Sequence, residues 1–460
     1  FYYDERGNLK ATQYPNATYS WNDYNDAGWN TAVYNRHGTL TTPLPASVPT
    51  DASPIVDYMY AHNILAKKTQ ETRSGGGLTT ETQTFTYDAL GRMDTVTLPD
   101  GTLRQYLFDL NSNRTEIKET PSGGSQATVA TYTYSTTALD QLTSVTQGAT
   151  TNFAYTTDGQ VSWKGASALA WDGRGRNYGG GFSGTTVTYS FDATGRRRQR
   201  VGGTTTTQYR FAGPGEASVF ETDAAGTLLR TSTPGPADDL ASYSGAPQTG
   251  TAVVFPYYSG HGDVAAYATT AGSTVAAYTY DPFGAAKQTL PSNSTMELWT
   301  GRWDKQLDTT TNLIQMGDRP YDPALARFLA VDPVEGGALT AYDYAAQDPV
   351  DLYDLTGTRV LAGAGGGAGN CEEKLERCKQ SAYKIYDQCI QNCKRRYRDP
   401  GRRRFCYEET CMKKIYVPQL QFCEKQYKIC IGGTERSKIR AQIRRRLHPL
   451  WNWGLRLIAC

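Results

Sequence analysis

Thr84-Phe85-Thr86-Tyr87-Asp88-Ala89-Leu90-Gly91-Arg92 decides the fold. Its first four residues alternate a hydroxyl with an aromatic ring, the period-2 pattern of a strand with one apolar face. Asp88 and Gly91 then frame a type I turn, in which the carboxylate accepts amide hydrogens from the turn residues. The aromatic-Asp-x-x-Gly unit returns as Tyr3-Asp4-Glu5-Arg6-Gly7, Trp171-Asp172-Gly173-Arg174-Gly175, Phe191-Asp192-Ala193-Thr194-Gly195 and Tyr280-Asp281-Pro282-Phe283-Gly284. Phe108-Asp109-Leu110-Asn111-Ser112 is a variant with serine in the glycine position. Asp88 to Asp109 is 21 residues and Asp172 to Asp192 is 20, about one β-hairpin per unit. A hairpin this thin cannot bury its own apolar face, so an array of them must stack into a continuous sheet.

The 460 residues carry 47 Lys+Arg against 45 Asp+Glu, a net charge of +2. With 38% hydrophobic and 12% aromatic residues a packed core can form, which excludes wholesale disorder. No apolar run approaches the ~20 residues a membrane-spanning helix needs. Phe1 falls in mid-pattern without a charged-then-apolar leader, so the chain reads as a fragment whose export signal is expected upstream. The average hides two different polymers. Residues 1–358 carry 24 basic and 36 acidic residues, a net of −12, and no cysteine. Residues 359–460 carry 23 basic and 9 acidic residues, a net of +14, and all nine cysteines. The Gly/Ala stretch from Leu361 to Gly369 reads as the joint, because such small side chains cannot anchor one conformation.

The turn units resemble the YD repeats of the Rhs family, which is related to the C subunits of insecticidal toxin complexes and to the β-shell of teneurins. Residues 278–358 resemble the Rhs-associated core. The matching stretches are Tyr280-Asp281-Pro282-Phe283-Gly284, Trp299-Thr300-Gly301-Arg302 with Asp304, and Arg319-Pro320-Tyr321-Asp322-Pro323. They continue through Arg327-Phe328-Leu329, Asp332-Pro333, Tyr342-Asp343-Tyr344 and Asp354-Leu355-Thr356-Gly357. The resemblance covers residues 1–358 and implies a mainly β fold. A YD-repeat strip of hairpins (1–277) spirals into a hollow shell, incomplete in a strip that starts in mid-repeat, and a core (278–358) carries a self-cleavage site. A linker (359–370), a cysteine-rich α-hairpin (371–432) and a basic amphipathic tail (433–460) follow.

Asp332 and Asp354 lie 22 residues apart just before the module boundary. Two carboxylates brought together cannot both ionise easily, so one keeps a proton while the other activates water. Spacing alone does not single them out, since Asp281, Asp304, Asp322, Asp343, Asp348 and Asp351 are nearby and read as turn residues. The resemblance does. In Rhs cores, paired aspartates aided by an upstream arginine cut the chain just after the last motif. This maps catalytic roles onto Asp332, Asp354 and Arg319, which would hold a carboxylate or polarise the scissile carbonyl, and puts the cut between Thr358 and Arg359. Two departures bear on it. The usual Asp-Pro-x-Gly-Leu is Asp354-Leu355-Thr356-Gly357-Thr358, and Ala326 stands before Arg327-Phe328 where the family usually has glycine. A core that only plugs the shell, without cutting, is the alternative.

Eight cysteines flank the turn signal Arg398-Asp399-Pro400-Gly401-Arg402. Cys371, Cys378, Cys389 and Cys393 precede it, spaced so that all four share one helical face, and Cys406, Cys411, Cys423 and Cys430 follow. Pairing them outside-in gives midpoints between 399.5 and 400.5 for every pair, as an antiparallel helix pair folded near residue 400 requires. The nested disulfides are then Cys371–Cys430, Cys378–Cys423, Cys389–Cys411 and Cys393–Cys406. Zinc on the same thiolates is the rival reading, although tight C-x-x-C knuckles are missing. Disulfides imply an oxidising destination, and Cys460 is left over. Beyond the hairpin, Ile439, Ile443 and Leu447 form an apolar stripe among arginines, followed by Trp451 and Trp453. That suits an anionic membrane surface, a nucleic acid, or packing on the hairpin. His448 is the tail's one histidine, so no His-based metal pair is present, and no catalytic constellation or small-molecule cofactor site is legible there.

The sequence reads as part of a secreted or surface-delivered bacterial Rhs toxin whose shell encloses and releases the cargo 359–460. Its implied partners are that cargo, an immunity protein and a secretion or delivery machine. The rivals are a non-enzymatic YD-repeat adhesion protein with an inert C-terminus, and a cargo that acts on nucleic acid. Non-reducing peptide mapping should recover the four nested cysteine pairs. Stoichiometric zinc released by a chelator would contradict the disulfides, and crossed pairs would contradict the hairpin.

Overall fold

Each Asp-x-x-Gly unit builds the same five-residue loop. In the Asp88 loop, the Asp88 amide donates to Arg92 O (2.9 Å) and the Gly91 amide to Asp88 O (3.0 Å). Asp88 Oδ1 accepts from the Leu90 and Arg92 amides (2.8 and 3.0 Å), and Arg92 Nε donates back to Asp88 Oδ2 (2.7 Å). Gly91 sits at φ +77 and the strand register slips beside the loop, so the turn closes with a glycine bulge. Arg176 and Arg196 return the same bond to Asp172 and Asp192. Ser112 takes the glycine position at φ +73, a left-handed conformation that a side chain adopts at a cost. Identical loops begin at Asn25, Asn63, Thr156, Asp223 and Ser259. Their signal is any side-chain oxygen three residues ahead of a glycine, or of Ala66 in the Asn63 loop.

The computed structural model describes residues 1–50, 52–212, 217–234, 240–244, 253–334 and 338–362. Residues 363–370 of the linker, the nested cysteine pairs and the basic tail lie outside the described residues, whereas residues 359–362 belong with the core rather than with a free joint, because Val360 is buried and Leu361–Ala362 pairs with Leu352–Tyr353. Twenty-five strands, from Tyr2–Tyr3 to Thr274–Ala277, form one antiparallel meander in which each pairs with the next in sequence. Alternation sorts the side chains. Phe85, Val96, Tyr106, Tyr132, Val145 and Val187 are buried on one face, while threonine hydroxyls pair across strands on the other, Thr86 with Thr95 at 2.7 Å and Thr146 with Thr150 at 2.9 Å.

The hairpin Val253–Tyr258/Val264–Thr269 breaks this alternation because both of its faces are covered. Val254, Tyr258, Val264 and Tyr267 pack on Met296, Leu298 and Trp299. Phe255, Tyr257, Ala266 and Ala268 pack on Tyr14, Val33, Val56 and Tyr58 from the first hairpins. Asn16 Nδ2 donates to Thr269 O (2.9 Å) and the Gly260 amide to the Tyr60 hydroxyl (2.6 Å). The strip therefore curls until its last hairpins lie against its first.

Residues 278–362 form the core that the strip packs around. Its five-stranded antiparallel sheet runs Thr295–Glu297, Gln306–Asp308, Leu313–Met316, Arg319–Asp322 and Arg327–Phe328. Cations on the strip meet carboxylates on this core: Lys67 with Asp348, Lys164 with Asp322, Arg200 with Asp308, and Arg230 with Glu297. Arg200 binds Asp308 through two nitrogens (2.6 and 3.0 Å), and the Tyr189 hydroxyl adds a third bond at 2.7 Å. Asp351 accepts the Lys68 amide (3.0 Å) and the Tyr87 hydroxyl (2.8 Å). This corrects the reading of Asp304, Asp348 and Asp351 as turn residues, for their carboxylates receive the strip. Asp281 does cap its turn, accepting the Phe283 and Ala285 amides, and Asp322 serves both a turn and Lys164.

Around Arg230, Glu221, Glu297 and Asp304 converge on one guanidinium and on the Gln306 amide group. Burial, reinforced by the neighbouring Glu297, pushes the Asp304 carboxyl up to about 8. The folded state thus holds a proton that the unfolded chain loses near pH 4. That contribution to stability is full below the unfolded value and fades as pH rises through about 8. Melting temperature should fall between about pH 4 and pH 8 and level off above, and fall less in Asp304→Asn. Equal slopes for the two proteins would show that Asp304 does not carry the effect.

Candidate functional site

Arg319, Asp332 and Asp354 come from three separate segments of the core and meet in its interior. Arg319 opens the fourth core strand directly after the turn Gly317-Asp318. Asp332 follows the Arg327–Phe328 strand and is fixed by its own amide donating to Ala341 O (2.8 Å) and by Oδ1 accepting the Val334 amide (2.8 Å). Asp354 follows the short strand Leu352–Tyr353. The side chains of Arg319, Asp332 and Asp354 are 2%, 6% and 1% exposed, so whatever charge they hold must be matched locally.

It is matched through one nitrogen. Arg319 Nη2 donates to Asp332 Oδ2 and to Asp354 Oδ2, each at 3.1 Å. The guanidinium lies over the Phe328 ring at 3.7 Å, and Nη1 reaches Ala341 O at 3.4 Å. Burial pulls the Arg319 guanidinium below its usual range, and the two carboxylates oppose that pull. A cation between the carboxylates offsets their mutual repulsion, which differs from the one-proton arrangement expected of two carboxylates brought together.

The other half of the site is the chain leaving the core. Asp354 Oδ1 accepts the Thr358 amide at 3.1 Å and the Arg359 amide at 3.0 Å, with the Thr356 hydroxyl at 3.4 Å. The Thr356 and Thr358 hydroxyls bond each other at 2.9 Å. Arg319 Nε donates to Gly357 O, the carbonyl one residue ahead of the expected scissile one. Asp354, rather than the arginine, therefore addresses the Thr358–Arg359 peptide, through its nitrogen. Past that bond Val360 is buried, and Leu361–Ala362 pairs antiparallel with Leu352–Tyr353. Leu355, in the usual proline position, packs against the aromatic cluster of Trp299, Tyr321, Phe328 and Tyr344. Ala326 has φ +58, which gives a physical reason for glycine there in the family.

No family model matches the chain. The tRNA3(Ser)-specific nuclease WapA of Bacillus spizizenii is 28% identical over 279 residues, 59% of this chain and 12% of that protein. The tRNA nuclease WapA of Bacillus subtilis is 26% identical with the same coverage. Among solved structures, the TcdB2-TccC3 complex matches with a TM-score of 0.59 at 15% identity, over 77% of this chain and 19% of the other. In sequence and in fold the chain is similar to Rhs-type, or YD-repeat, proteins. The likeness to the solved complex is one of fold, a YD-repeat β-shell, and it extends over most of the described residues. The chain spans only about an eighth of the length of the curated relatives it matches. Among its described residues no helix is long and apolar enough to cross a membrane.

Proposed function

We propose that this chain is part of a bacterial toxin, secreted or displayed at the cell surface, whose shell holds the basic module 359–460 and cuts it from the core. The observation that carries this reading is the Arg359 amide, 3.0 Å from Asp354 Oδ1, at the point where the chain turns from acidic to basic. In the proposed step Asp332 takes a proton from water, whose oxygen adds to the Thr358 carbonyl carbon. The Thr358–Arg359 bond then breaks as the proton taken up by Asp332 passes to the departing Arg359 nitrogen, which Asp354 Oδ1 orients through its N–H. Arg319 holds both carboxylates in place and balances their charge. The products are a carboxylate at Thr358 and, once the new acid's remaining proton has passed to it, an ammonium group at Arg359. Each chain acts once, on itself.

A second reading, compatible with the first, is that the released module acts on nucleic acid. Two observations favour it: the named relatives are tRNA nucleases, and residues 359–460 carry a net charge of +14. An immunity protein and a delivery machine are the partners such a toxin would need.

Intact-mass analysis of denatured 1–460 should show two chains, ending at Thr358 and beginning at Arg359. Asp332→Asn and Asp354→Asn should each leave a single chain. The half-time should not change with protein concentration, because substrate and catalyst are one molecule. A wild-type protein that stays at full length would reduce the core to a plug.

A further inference from the structure

Two backbone segments cross at Gly317 and Gly357 more closely than any residue with a Cβ allows. Gly317, at φ +53, lies where an added Cβ would come 2.3 Å from Thr356 O and 2.7 Å from Thr356 C. Gly357, at φ +65, faces back, and its Cβ would come 2.3 Å from Met316 O and 2.9 Å from Arg319 N. Between them the Asp318 amide donates to Thr356 O at 3.0 Å. These contacts are to backbone atoms, which cannot swing aside as the end of a side chain can.

We infer that Gly317 is a positioning residue for self-cleavage, and that the turn Gly317-Asp318 is a backbone clamp setting the register of residues 356–359 against the Arg319 and Asp354 side chains. The inference rests on the self-cleavage reading and extends it to a residue that touches neither carboxylate. The clamp holds Thr356 O on the turn, and the next carbonyl, of Gly357, then falls on Arg319 Nε. The next two amides, of Thr358 and Arg359, fall on Asp354 Oδ1. A displacement of about 1 Å at a reacting bond costs on the order of 10²-fold in rate, and relieving a 2.3 Å contact requires a displacement of that size.

A merely structural role for Gly317 would come from its left-handed conformation, and asparagine tolerates that conformation. A clamp excludes asparagine and alanine alike, because each brings a Cβ. The test therefore compares Gly317→Ala and Gly317→Asn in full-length 1–460. It follows the rate of chain cleavage and the urea unfolding midpoint and, with each change placed in the uncut Asp332→Asn background, hydrogen exchange at the Thr358 and Arg359 amides. The clamp predicts that both variants cut about 10²-fold more slowly and lose exchange protection at those two amides. Asparagine should recover part of the unfolding midpoint but none of the rate. An asparagine variant that cuts at the wild-type rate with protected amides would overturn the inference. Should the alanine variant fail to fold, Asp318→Pro removes the amide donor without adding a Cβ at position 317, and unchanged protection at 358 and 359 there would overturn it equally. A wild-type protein that never cuts would sink the cleavage reading instead, and the exchange measurement would still judge the clamp.

Discussion

The pairing of strip cations with core carboxylates is the constraint on which the remaining structure depends. Arg200 and Asp308 are both essentially without solvent contact, and Arg230, Glu297, Asp322 and Asp348 are buried with them. A buried charge stripped of its partner costs about 3–5 kcal/mol, so the strip cannot leave the core at any of these points without a large penalty. Hairpins of this size have no independent core, and the curl of the sheet is held by what it encloses as much as by its own ladder. The doubly covered hairpin Val253–Thr269 does the same with apolar surface, joining the first hairpins on one face to the core on the other.

The cleavage site inherits its geometry from that arrangement. Arg319 and Asp322 are the two ends of one four-residue core strand, and Lys164 of the strip holds Asp322. Phe328, on the neighbouring strand, supports the guanidinium, and the Gly317 turn lies at the other end of the same hairpin. Of the three site residues Arg319 lies on the sheet, and Asp332 and Asp354 lie in the segments that follow the strands Arg327–Phe328 and Leu352–Tyr353. The departing chain at 356–362 is tied by the Thr356 carbonyl, by two amides on Asp354 and by the ladder to Leu352–Tyr353.

Much of this was legible in the residues, for local reasons. Asp88 and Gly91 announce their loop because the carboxylate–amide bonds and the positive φ are satisfied within five residues. Asn63 and Ser259 open the same loop but were passed over, because the aromatic-Asp pattern is narrower than the chemistry that makes the turn. The apolar run Val253-Val254-Phe255-Pro256-Tyr257-Tyr258 lacks alternation, which is the signature of a strand covered on both faces. Asp304, Asp348 and Asp351 could not be told from turn aspartates, since their partners lie 74 or more residues away in sequence. Family resemblance, not spacing, drew Arg319, Asp332 and Asp354 together. Gly317 carried no signal at all, because a glycine in a hairpin turn looks the same whether it serves the turn or the strand crossing it.

The most direct test of the account is a double-mutant cycle on Arg200 and Asp308, measured by urea unfolding of the full chain with Arg200→Met, Asp308→Asn and the pair. If strip and core are held together by buried charge pairs, each single change should cost several kcal/mol, on the order of 3–5. The double change should cost far less than their sum, with a coupling of roughly 2–3 kcal/mol. Additive losses, with coupling within about 0.5 kcal/mol of zero, would contradict the account and leave the apolar contacts alone to hold the shell on its core.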